Sequence, residues 1–313
     1  MSITKTEKPA RIKAPVASSR DGTPLSMNRA PAADIAPWIA RIYTTAGAVS
    51  GCDTLECAIL ADTPIVRVLL EGEWTAQTAD GLEHHGRRAL YFGPQSHCMP
   101  VSICGQFRTV GIALQAGANT ALGGPAMEST LDRILPYEAT GASEANLLAR
   151  FGPADTPETM MDALEDCARQ MIAERGAAPP DPIAAAFERA TFLDPGQPIK
   201  TFAAEHDISV RQVERIVRRD YGVTPKFAMR RARALDLAAE LKGVAEREEA
   251  EELALRYFDQ SHLTRDFLEF FGMTPMRFLR RDHPLLTMTM EARQARRLEL
   301  VGRIAEGQPR PWE

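Results

Sequence analysis

Between Ser209 and Tyr221 three arginines, Arg211, Arg215 and Arg218, fall at i, i+4 and i+7. That spacing lines them up on one face of an α-helix. Guanidinium groups in such a row can grip phosphates or read guanine edges with paired hydrogen bonds. Val210, Val213, Ile216 and Val217 share a different face of the same segment, giving the helix an apolar back and a cationic front. Glu214 also belongs to the outer set. A carboxylate there can accept from cytosine N4, although most exposed glutamates on helices do nothing so specific.

A second segment repeats the pattern at a shift of roughly 50 residues, within the range of duplicated supersecondary units. Ser261, His262 and Arg265 are left outward, backed by Leu263, Phe267 and Phe270. Arg215 falls on Arg265, and Tyr221-Gly222-Val223-Thr224-Pro225 falls on Phe271-Gly272-Met273-Thr274-Pro275. The elements that must position these side chains are legible too. Ser209 predicts an N-cap, and Gln212 three residues later completes a capping box. Gly222 and Gly272 suit the position past a helix end where φ is positive. Thr224-Pro225 and Thr274-Pro275 restart helices as N-cap and first residue, and Asp259 caps the second segment. A short helix over Ile199–Glu205, a turn at His206-Asp207-Ile208 and the Ser209 helix make a helix-turn-helix, whose second helix enters the major groove. In the second unit Leu253-Ala254 end the supporting helix. Thr224 to Leu241, rich in Ala and Arg, predicts a rigid spacer between units.

Several residues keep two readings. Gln212 serves the cap better than a base. His262 either meets phosphate or base at a helix N-terminus or braces the Asp259 cap. Arg218, Arg219, Arg230, Arg231, Arg280 and Arg281 read as phosphate contacts or solvated charge rather than as base readers.

Before this region the texture changes. Ala33 to Tyr43 predicts a short helix, with Ile35, Ile39 and Ile42 at helical spacing. Short β-type runs follow at Cys57–Leu60, Ile65–Leu70, Ala89–Phe92, Val101–Cys104 and Thr109–Leu114, parted by turns. They predict a small antiparallel sheet or barrel. A helix is expected from Thr156 to Arg175. The expected class is α+β: a mobile arm (1–30), a β-rich domain with a helical end (31–175), a linker (176–183), a double helix-turn-helix domain (184–286) and a helical tail (287–313).

The formal net charge is −5, so nucleic-acid binding must rest on a local basic surface. No apolar run is long enough to span a bilayer. Met1 to Ser26 lacks the apolar core of a signal peptide, so a cytoplasmic location is expected. Cys52, Cys57, Cys98, Cys104 and Cys167 read as free thiols. His84-His85, His97 and Cys98 lack a coherent ligand set, so no metal or other cofactor is expected. No nucleophile elbow, P-loop or dinucleotide glycine pattern occurs, and Gly123-Gly124-Pro125 is too short for a phosphate loop. No catalytic residue is assigned.

The run Asp259-Gln260-Ser261-His262-Leu263-Thr264-Arg265-Asp266-Phe267, followed by Phe271-Gly272-Met273-Thr274-Pro275, resembles the signature of the AraC/XylS family of transcription regulators. The resemblance covers about residues 184 to 281. It implies recognition helices at 209–219 and 260–270, with base contacts at Arg211, Glu214 and Arg215 and at Ser261, His262 and Arg265. It also implies an operator in double-stranded DNA and an N-terminal domain that senses a small-molecule effector or dimerises, and leaves an RNA polymerase contact open. Leu90 to Gly124 resembles a β-rich domain attached to some such regulators. Arg256 departs from the family, which usually has Gly before the aromatic pair. The acidic run Glu246 to Glu252 lies beside the second unit. Two rivals remain: an enzyme with a metal or substrate in the β-domain, and an architectural protein with little sequence preference.

Overall fold

The computed structural model describes residues 26–48, 54–244 and 260–304. Eight antiparallel strands make one sheet: β1 (Ser26–Arg29), β2 (Ile39–Ala48), β3 (Thr54–Ile59), β4 (Ile65–Thr78), β5 (Gly81–His85), β6 (Arg88–Phe92), β7 (Met99–Leu114) and β8 (Ile134–Pro136). The order is β1-β2-β7-β4-β6-β8, with β3 also on β7 and β5 also on β4. The long β7 takes β3 along its first half and β2 along its second. Gly105, at φ +78° within it, joins the two runs that the sequence separates. A bulge in β4 between Leu69 and Glu73 bends the sheet, and bulges raise local twist.

Three expectations need correction. The predicted 33–43 helix is only a turn at 33–38, and the chain is strand from Ile39 onward. Ile35, Ile39 and Ile42 are nevertheless all buried. Ser26–Arg29, the last residues of the expected arm, are strand β1. β5 and β8 had no counterpart among the runs read from sequence.

Alternation along the strands buries both faces. Val66, Val68, Leu70 and Tyr91 pack beneath α4 (Pro157–Arg175), which Thr156 caps and Gly176 ends. Ile65, Leu69, Leu90 and Phe92 line the other face with Leu285 and Met288. Short helices α1 (Ala118–Ala121), α2 (Met127–Thr130) and α3 (Glu144–Leu148) flank the sheet.

The C-terminal part is helical: α5 (Pro182–Leu193), α6 (Ile199–Glu205), α7 (Val210–Tyr221), α8 (Pro225–Leu241), α9 (Gln260–Phe271), α10 (Pro275–Arg280) and α11 (Pro284–Leu300). It docks closely on the sheet. The Cys98 N–H donates to the Phe270 carbonyl at 2.7 Å, and Leu60 belongs to the same apolar cluster as Phe267. Among the described residues no helix is long and apolar enough to cross a membrane.

Candidate nucleic-acid interface

The first unit forms from local signals. Ser209 Oγ accepts from the Gln212 N–H at 3.2 Å, and Gln212 Oε1 accepts from the Ser209 N–H at 2.8 Å, closing the capping box. Gly222 ends α7 at φ +69°. Val213, Ile216, Val217 and Tyr221 are buried. Phe187 ties α5 to Phe202 of α6 and Tyr221 of α7 through edge-on ring contacts at 5.4 and 5.6 Å. Arg211, Glu214, Arg215 and Arg218 are all exposed. The front of α7 is thus a row of free cations on a locked helix.

In the second unit, α9 ends at Gly272, φ +64°. Phe267, Phe270 and Phe271 are buried, and Arg265 is exposed. Ser261 and His262 lie within α9, but their side chains are outside the described residues. So are Asp259, Leu253-Ala254, the Glu246–Glu252 run, the Arg256 departure and Cys52. Thr274 Oγ1 accepts from the Arg277 N–H at 3.4 Å and caps α10; Thr224 does the same for α8, accepting from Phe227 at 3.3 Å.

One helix joins the units. Ala228 and Met229 of α8 pack with the back of α7, while Ala234, Leu235, Ala238 and Ala239 pack with the back of α9. Phe227 meets Phe270 edge-on at 5.3 Å. Arg230 adds ion pairs to Asp266 at 2.6 Å and Glu269 at 2.5 Å. The hydrogen bond to Asp266 chiefly holds its pKa above the ordinary arginine value.

The outer arginines do not behave alike. Arg280 and Arg281 are exposed. Arg219 is half-buried and pairs with Asp220 at 2.6 Å and Asp181 at 2.9 Å. Asp220 in turn accepts from Thr120 Oγ1 at 2.8 Å, fastening α7 to α1. Arg231 corrects the sequence reading outright: it is fully buried. It donates to the Gln95 carbonyl at 2.5 Å, and its Nε lies 2.8 Å from Asp62 Oδ1. It is a staple between α8 and the sheet, out of reach of phosphate. Two exposed cations were missed, Lys226 and Arg277. Each stands in the first turn of a Thr-Pro helix, a spacing visible in the sequence.

In the β-rich part, the His84 ring stands 3.2 Å from Thr75 Oγ1, and His97 is exposed beside Ser96. His85 is buried against Glu83. Burial raises the Cys57 thiol to about 12 and pushes Cys98 up further. Among the described residues no three of His, Cys, Asp or Glu gather in a set that could hold a metal ion.

Residues 202–281 match the family model described as a helix-turn-helix domain. No curated protein matches the chain. Among solved structures, ToxT from Vibrio cholerae is 10% identical with a TM-score of 0.46, over 76% of this chain and 97% of that one. An unsaturated-fatty-acid-bound ToxT from Vibrio cholerae strain SCE256 is 10% identical with a TM-score of 0.45, over 81% and 94%. The AraC-like transcriptional activator CuxR is 14% identical with a TM-score of 0.25, over 69% and 88%. Residues 202–281 are thus a helix-turn-helix domain.

Proposed function

We propose that this chain is a sequence-specific, DNA-binding transcription regulator of the AraC type, which reads two adjacent major-groove segments, one with α7 and one with α9. The observation that carries the reading is the pairing of exposed cations with a fully buried apolar back on both helices, each fixed to α8. Arg211, Arg215 and Arg265 are the base readers in this account, with Glu214, Ser261 and His262 beside them. Arg218, Lys226 and Arg277 supply phosphate contacts, which position a protein without specifying sequence. Recognition helices on one frame meet grooves about 34 Å apart, one turn of B-DNA. A mismatch between frame and pitch would be met by bending the duplex.

We assign no catalytic step to the chain. Its β-rich part serves as a sensor whose docking on the helical part sets the population able to place both helices on DNA.

Selection of duplexes from a random pool with the full chain tests the proposal. A regulator enriches one motif with two half-sites about a helical turn apart and prefers it to random DNA by roughly 10³ or more. A ratio near unity would favour an architectural protein and overturn the reading.

A further inference from the structure

Both α7 and α9 end against the β-rich part. At α7, Thr120 Oγ1 donates to Asp220 Oδ1 at 2.8 Å, and the Met127 carbonyl oxygen would stand 2.9 Å from a Cβ at Gly222. At α9, the Cys98 N–H donates to the Phe270 carbonyl at 2.7 Å. Between them, Arg231 of α8 donates to the Gln95 carbonyl at 2.5 Å. These anchors come from separate stretches of chain: 93–98 holds α8 and α9, and 117–130 holds α7.

Asp132 joins the two stretches. Its Oδ1 accepts from the Ser96 N–H at 2.7 Å, and its Oδ2 accepts from Ser96 Oγ at 2.5 Å. Its own N–H donates to the Pro94 carbonyl at 3.0 Å, and its carbonyl accepts from the Ala79 N–H at 2.8 Å. The Arg133 carbonyl accepts from the Gly93 N–H at 3.0 Å. The backbones run so close here that a Cβ at Gly93 would stand 1.8 Å from the Thr130 carbonyl oxygen. Gln95, fully buried, ties the same loop to Ala61 through its N–H at 3.0 Å and its Oε1 at 2.7 Å. To make its bonds Asp132 sits at φ +57°, a left-handed conformation that disfavours residues bearing a Cβ and that Asp tolerates better than most. Backbone of this kind persists only where its surroundings over-determine it. The junction is a rigid corner.

The contacts close a ring. From α7 it runs through α8 to α9, across to Cys98 and Ser96, through Asp132, and by α2 back to Gly222. A helix-turn-helix unit attached along α8 alone could rock about that helix. A second attachment away from its axis stops the rocking. A stiff frame passes the cost of an ill-spaced site to the duplex, which must bend or twist; a loose frame absorbs it.

We propose that Asp132 is a positioning residue for DNA recognition: by clamping 93–98 to 127–133 it fixes the ends of α7 and α9 relative to each other, and so sets which half-site spacing the chain accepts. The inference deepens the two-helix reading above and rests on it. Asp132 lies outside residues 202–281, the helix-turn-helix match, so the choice of spacing is written partly in the β-rich part.

The test uses the full chain and the motif it selects from a random pool, with the half-sites then moved together or apart by one base pair, about 3.4 Å along the duplex. In competition titrations the parent should lose about ten-fold or more on either displaced site. Asp132→Gly keeps the left-handed backbone but deletes the carboxylate, and should cut that penalty to about three-fold or less with helical circular dichroism unchanged. Asp132→Asn retains an oxygen for the Ser96 N–H and should keep the parent's penalty. Ser96→Ala removes one hydrogen bond at a half-buried side chain and should fall between the two. A parent-like penalty in Asp132→Gly, or in Ser96→Ala where Asp132→Gly does not fold, would overturn the proposal, as would an Asp132→Asn protein as lax as Asp132→Gly. A parent that selects no paired half-sites would instead overturn the two-helix reading, and this proposal with it.

Discussion

Gly222 and Gly272 close the two repeats in the same left-handed conformation, at φ +69° and +64°, yet their surroundings differ. Among the described residues a Cβ at Gly272 meets nothing within 4 Å, whereas at Gly222 it would stand 2.9 Å from the Met127 carbonyl oxygen and 3.2 Å from its carbon. Alanine at either site carries the left-handed backbone cost of about 1–2 kcal/mol. At Gly222 it must also push α7 from the backbone of α2, an overpacking that typically costs a further 1–3 kcal/mol. Gly272→Ala should therefore lose about 1–2 kcal/mol and Gly222→Ala about 2–5 kcal/mol. Urea unfolding followed by helical circular dichroism gives both midpoints, comparable where the slope is unchanged. Equal losses would refute the close seating of α7 on α2. A costless Gly272→Ala would refute the left-handed cap itself.

Other outcomes follow from the same contacts. Arg215→Ala and Arg265→Ala should each cost about 1–3 kcal/mol of specific DNA binding and relax preference at one base pair; competition titrations in which both bind like the parent would remove the recognition-helix assignment. Asp62→Ala leaves the buried Arg231 and Arg293 without their shared carboxylate, and should destabilise by about 3–5 kcal/mol; a loss under about 1 kcal/mol in denaturant would show the pairing to be incidental. His283 is buried and stacked on Phe278 at 4.3 Å. Burial, then Lys242 and Arg281, lower its pKa from 6.5 to about 4. The unfolded chain thus takes up this proton first, so the stability due to neutral His283 is whole above pH 6.5 and declines towards pH 4. Melting curves across that window should steepen relative to His283→Phe, and identical acid limbs would contradict the assignment.

What could be read in the sequence was what is local. The caps at Ser209, Gly222, Thr224 and Thr274, and the buried and exposed faces of α7, depend on residues within a turn or two of one another, and all stand where the spacing put them. The β-rich part was less legible for a definite reason. Ile39 and Ile42 are three apart, which should send them to opposite faces of a strand. A bulge between Ile39 and Arg41 changes the parity, so both enter one core and imitate a helical stripe. Arg231 misled for the opposite reason. Its partners Gln95 and Asp62 lie 136 and 169 residues away, and no nearby spacing announces them.

The seventeen residues of α8 also act as a phase standard. Removing one residue between Met229 and Ala234 would turn the α9 attachment by about 100° relative to that of α7, and move it by about 1.5 Å. Adding three or four residues would nearly restore the angle but lengthen the helix by about 5–6 Å, close to one or two base-pair steps of about 3.4 Å. On the proposed reading, the length of this helix and the distance between operator half-sites can change only in matched increments, so related chains with a longer α8 should recognise correspondingly wider operators.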